Sequence, residues 1–211
     1  MADVSLVGRP LAPYYHVCAL FSDPEEEYSV LTPFFREGLE RGERVFNIVD
    51  PALRDAHLQR FACAGIDVER CERERRLDVR TWPEVYLRDG HFDQDRMVSA
   101  VDAVIEEGRA LGFERHRLSG NMGWALLDRP GTEQLIEYEV RINEVLARTR
   151  QPAVCIYDIT RLSGALVMDI LRSHPLTLVG GVVHENPLYE PPARFMAELR
   201  ARRAARSAVP A

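Results

Sequence analysis

Residues 15–50 read YHVCALFSDPEEEYSVLTPFFREGLERGERVFNIVD, and their run of apolar segment, capped helix and second apolar segment decides the fold. YHVCALF, 15–21, has the length and near-continuous apolar character of a strand covered on both faces. Ser22-Asp23-Pro24 follows, with Glu26 three residues after Asp23: an N-cap, a first-turn proline and a capping-box partner. The predicted helix runs to Arg41 and stops at Gly42, with Tyr28, Leu31, Phe35 and Leu39 on one face. Pro33 either kinks that helix or opens a second one behind Thr32. RVFNIV, 44–49, supplies the next strand, and Asp50-Pro51 opens a helix near 52–64.

The same rhythm continues to the end of the chain. IDVERC and RLDVRT, within 66–81, read as short alternating stretches around a charged turn, and 82–92 as a loop. Helices are predicted at 93–110, 131–148 and 163–173, and strands at 114–120, 153–159 and 176–183. Strands separated by helices argue for parallel βαβ units, hence a three-layer α/β domain with a mainly parallel sheet of about five to seven strands. Residues 1–13 read as a short extension braked by Pro10 and Pro13, and 193–211 as an Arg-rich helix and tail. In that last helix Phe195, Met196 and Leu199 form a docking face, with Arg200, Arg202, Arg203 and Arg206 directed toward solvent.

Composition narrows the function. The 211 residues carry 27 basic side chains, and every one is Arg. Without lysine there is no P-loop amine to reach the β- and γ-phosphates and no Schiff-base nucleophile. A net charge of −6 argues against a basic nucleic-acid-binding surface, so direct nucleic-acid binding is not expected. No 18-residue apolar run and no leader-like N-terminus occur, and Cys18, Cys63, Cys71 and Cys155 form no CxxC. The expectation is a cytoplasmic protein with free thiols and no membrane partner.

Ligands of parallel sheets bind beyond the carboxyl ends of the strands. There the segment 22–28 offers three consecutive Glu and no Gly, the reverse of a phosphate cradle. Asp50 and Asp158 end two strands; they read either as caps or as a carboxylate pair for a metal- or nucleotide-dependent enzyme. SGNMGW, 119–124, sets two glycines among an amide, a thioether and an indole, which suits either a pocket for a small apolar molecule or a turn covering the sheet edge. His184, Asn186 and Tyr189 could close such a pocket from a late loop, or simply form a turn. No HxH, HExxH or GxSxG is present, and Cys63, Cys71 and His57 lack zinc-like spacing. Glu137 and Arg141 stand four apart as an ordinary helix-surface pair.

Four segments together resemble the MEDS family, the sensory domain of methanogen, methylotroph and dichloromethane-responsive regulators. They are the first strand with His16, PFFREGLERGERV at 33–45, RLSGNMGWAL at 117–126 with Tyr138-Glu139 after it, and VCIYDI at 154–159 leading to His174-Pro175. The resemblance covers about 14–192. It implies a RecA/KaiC-like fold with a degenerate nucleotide site, in which 22–29 replaces the P-loop and Gly120 stands where a magnesium-binding acid belongs. It further implies a non-catalytic sensor of small hydrocarbon derivatives, acting in bacterial signalling or transcriptional regulation through a partner or a second copy. The family's Gln before the late-strand Tyr is Ile156 here, a departure at a polar contact. The expected ligand site, for a small apolar or halogenated molecule, comprises Phe21, Tyr28, Asn121, Met122, Trp124, Tyr157, Asp158, His184, Asn186 and Tyr189, with no catalytic residue, metal or cofactor. The alternatives are the Asp50/Asp158 enzyme and a protein-interaction adaptor without a ligand.

Overall fold

A computed structural model describes residues 4–207. Seven strands form one sheet in the order β5-β4-β6-β7-β3-β8-β9, where β3 is His16–Phe21, β4 Arg44–Val49, β5 Leu77–Thr81, β6 His116–Asn121, β7 Ala153–Asp158, β8 Leu176–Val179 and β9 Val182–Glu185. All neighbours are parallel except β8 and β9. One face packs on α1 (Pro24–Glu40), α2 (Arg54–Cys63) and α3 (Val68–Arg73). The other packs on α4 (Gln94–Ala110), α5 (Leu135–Thr149), α6 (Gly164–Ser173) and α7 (Pro192–Ser207). The three-layer arrangement follows from strands that are apolar on both faces and must be covered twice.

Local chemistry sets the elements that position the site. Asp23 Oδ1 accepts the Glu25 amide at 3.0 Å and starts α1. The helix runs unbroken through Pro33, because Pro33 lies on the exposed side, where water can serve the carbonyl it leaves unpaired. Under α1, Arg117 is buried against the Phe34 ring, with its Nε 2.5 Å from Glu43. A Cβ at Gly38 would stand 2.7 Å from that guanidinium, so this glycine is demanded by close approach.

Five local expectations are revised. IDVERC is the start of α3, because Asp67 Oδ1 accepts the Arg70 amide at 3.1 Å and caps a helix there. LTLVGGVV is a hairpin, turning at Gly180 and Gly181, both at positive φ. Within 1–13, the pairs Ser5–Leu6 (β1) and Arg9–Pro10 (β2) form a small ribbon that buries Val4, Leu6 and Leu11. On α7, Phe195 docks as expected under the Arg172 guanidinium, 4.2 Å from the ring centroid. Arg202 is tied to Asp169 at 2.8 Å and Arg203 to Glu137 at 2.7 Å, so these two cations are paired rather than simply solvated. Arg141 likewise turns to Asp95, at 2.5 Å, and not to Glu137. The Arg206 side chain and residues 208–211 lie outside the described residues.

Candidate functional site

At the carboxyl ends of the central strands, Phe21, Tyr28, Asn121, Met122, Tyr157 and Asp158 line a crevice of about 150 Å³, with Asp50 and His57 beside them. This is where such sheets hold phosphates, but the polar groups here are spent on turns. Asp158 Oδ1 accepts from the Thr160 amide at 3.0 Å and its hydroxyl at 2.6 Å. Asp50 Oδ1 accepts the Ala52 amide at 2.8 Å, and Asn121 Oδ1 the Gly123 amide at 3.0 Å. Burial pushes the Glu27 carboxyl up to about 7, against the pull of Arg60. Tyr28 Oη lies 3.0 Å from His57 Nδ1; burial drives the phenol up to about 12 and the imidazole down to about 4.

The other expected residues fall elsewhere. Trp124 is wholly buried, stacked between Tyr86 and Phe92 at centroid distances of 4.9 and 4.3 Å. His184 is exposed on β9. Asn186 holds a turn, its Nδ2 donating to the carbonyls of Leu171 and His174 at 2.5 and 2.8 Å, and Tyr189 is half-buried just beyond it. None of these four lines the crevice.

A larger cavity, about 390 Å³, lies between β4, β6, β7 and α4. Phe46, Ile48, Met97, Val101 and Leu118 make its walls apolar, and Arg80, Glu84, Arg88 and Arg96 sit among its lining charges. Tyr86 lies against Gly120, where a Cβ would come within 2.0 Å of the phenol oxygen. His16 and Cys155 also line this cavity.

Those two residues belong to a buried polar cluster. His16 Nε2 and His174 Nε2 lie 3.3 and 3.5 Å from the same oxygen, Glu139 Oε2, and all three side chains are 0% exposed. Cys155 Sγ is 3.4 Å from both His16 Nε2 and Glu139 Oε2. Tyr157 Oη donates to Glu139 Oε1 at 2.5 Å. Burial opposes the charge on Glu139, and the Tyr157 hydroxyl favours it. Burial pushes His174 down to about 3.

Spacing alone left the histidines unassociated; the parallel pairing of β3 with β7 and the cap of α6 bring them together. Glu139 did carry a signal. It sits between Leu135 and Ile142 on the apolar stripe of α5, where an acid is costly unless it is partnered.

The sequence profile described as MEDS, the MEthanogen/methylotroph, DcmR Sensory domain, matches residues 15–175. The transcriptional repressor DcmR of Methylorubrum extorquens is 26% identical over 185 residues, covering 82% of this chain and 63% of the repressor, so the chain spans less than two thirds of that relative's length. The crystal structure of a KaiC-like protein from Pyrococcus horikoshii OT3 superposes with a TM-score of 0.54 at 15% identity, over 77% of this chain and 69% of that one. This last likeness is one of fold alone.

Proposed function

The chain belongs to the MEDS family of sensory domains, and from that premise we propose that it binds a small, largely apolar molecule without transforming it and reports the bound state to a regulatory partner. The observation that supports this reading is the cavity of about 390 Å³ with apolar walls and a few polar groups, the usual make-up of a small-molecule chamber. A hydrocarbon derivative such as a short alcohol or a haloalkane matches that lining. The crevice beyond the strand ends is the competing location for a ligand, but at about 150 Å³ it is smaller, and the Asp50, Asn121 and Asp158 side chains there already serve backbone amides. Neither place has the lysine that a P-loop nucleotide site requires.

The regulatory output is proposed on the likeness to a transcriptional repressor, of which this chain spans only part. Among the described residues, no helix is long and apolar enough to cross a membrane. Exposed large apolar side chains such as Met168, Val179, Val182 and Leu188 lie on α6 and around the β8–β9 hairpin, away from the bodies of α4 and α5. That distribution gives no support to an adaptor working through the latter two helices.

The test is a thermal-shift and NMR screen of short alcohols and haloalkanes, run beside Mg-ATP, on the wild type and on Ala100→Phe. Ala100 lines the cavity, so the added ring fills it. A ligand-dependent rise in Tm that disappears in folded Ala100→Phe supports the reading. Turnover of Mg-ATP, or ligand shifts unaffected by Ala100→Phe, would reject it.

A further inference from the structure

Two histidines in this core direct ring nitrogens at a carboxylate oxygen, and the tautomers are fixed by what lies behind them. The Asn143 amide nitrogen donates to the carbonyls of Glu139, Val140 and Ser173, at 2.9, 3.2 and 2.9 Å. Its Oδ1 is therefore an acceptor, and it faces His16 Nδ1 at 3.1 Å. His174 Nδ1 faces the Ile170 carbonyl at 2.8 Å, and the neighbouring Ser173 hydroxyl donates to that same carbonyl. Both rings thus carry hydrogen on Nδ1. In the neutral imidazole each Nε2 is then a lone pair, aimed at Glu139 Oε2.

Lone pair against lone pair is repulsive, and only a proton or a metal ion between the atoms relieves it. The Cys155 S–H can serve one of the three acceptors. His174 Nε2 has no hydrogen-bond partner although it is wholly buried. An orphaned acceptor at such depth calls for a missing positive centre.

We propose that His16, Glu139, Cys155 and His174 form a four-coordinate site for a divalent transition-metal ion, with zinc the closest match. The four donor atoms lie within 4.8 Å of one another. Four of the donor–donor edges measure 3.3, 3.4, 3.4 and 3.5 Å. A tetrahedron with metal–ligand bonds of about 2.0–2.3 Å has edges of about 3.3–3.8 Å. Two imidazoles, one thiolate and one carboxylate suit zinc and its neighbours rather than magnesium or calcium. The thiolate and carboxylate neutralise the dication, so the site adds no net charge to the core. Behind the donors, Asn143 and the Ile170 carbonyl orient the imidazoles and the Tyr157 hydroxyl holds the far carboxylate oxygen, the usual supports of metal ligands.

Metal binding displaces the Cys155 thiol proton to solvent, one proton per ion. The site stands whether or not the neighbouring cavity takes a ligand. Because the donors are buried, the ion enters as the chain folds.

The experiment uses the full chain, unfolded with chelator and refolded with zinc or cobalt(II). Elemental analysis of the zinc-refolded protein is expected to give about one ion per chain. The cobalt form is expected to show the intense visible bands of tetrahedral cobalt and a thiolate-to-cobalt charge-transfer band. Cys155→Ser should lose the charge-transfer band, and Glu139→Gln most of the bound metal. Cys18→Ser, which changes the thiol on the adjacent strand, should keep both. Wild-type protein that is folded by circular dichroism yet binds neither ion, or binds cobalt without the thiolate band, overturns the proposal even if the variants fail to fold.

Discussion

Tyr86 seals against Gly120: a methyl group built on Gly120 would lie 2.0 Å from the phenol oxygen, and Tyr86 is itself stacked on Trp124. This one contact closes the wall of the apolar cavity at the strand end. Gly120→Ala is expected to cost about 1–3 kcal/mol, because the packed aromatic group must move to admit it. Urea denaturation checks this, and an unchanged midpoint would show that Tyr86 yields freely.

Arg117 is a second place where the core depends on one side chain. It is fully buried and meets Glu43 at 2.5 Å, Glu37 at 2.9 Å and the Phe34 carbonyl at 2.5 Å. Arg117→Ala strands the largely buried Glu43 carboxylate and should destabilise the fold by about 3–5 kcal/mol. Arg117→Lys should recover only part, since an ammonium cannot span these acceptors as the guanidinium fork does. Chemical denaturation of the two variants side by side makes the comparison.

Stability against pH should carry opposing contributions. Burial pushes His57 and His116 down to about 4, so their contribution is present above the ordinary value of 6.5 and is lost as pH falls through 4. Glu27 acts in the other direction. Raised by burial from 4.5 to about 7, it contributes fully below 4.5, and that contribution is lost as pH rises through 7. Glu27→Gln should therefore steepen the rise of stability with pH between 4.5 and 6.5, and His57→Gln should flatten it. Urea midpoints across that window decide, and identical slopes in all three proteins would refute the assignment.

The last helix docks through Phe195 more than through its charges. Phe195→Ala removes a fully buried ring and is expected to cost about 3–5 kcal/mol. Removing 200–211 takes away Arg202 and Arg203, whose partly exposed ion pairs with Asp169 and Glu137 are each worth up to about 1 kcal/mol. The truncation should fold, with only a modest loss of Tm. A collapse to the level of Phe195→Ala would place those ion pairs among the main anchors.

The segment 15–50 announced its own strands and helix, because apolar runs, caps and the Gly42 stop are local signals that need no distant partner. The lack of lysine likewise ruled out a P-loop amine from composition alone. The crevice residues Phe21, Asn121 and Asp158 were legible because strand ends converge on one edge in any parallel sheet. What the sequence could not show is that Trp124 turns into the core, or that His16, Glu139, Cys155 and His174 meet. Their separations along the chain have no period. They converge because β3 pairs with β7 in one register, α5 crosses that pair with Glu139 facing inward, and α6 ends with His174 against it. Strand order and helix placement are set by the burial of the whole chain at once, so only the tertiary structure decided which polar side chains would share the interior.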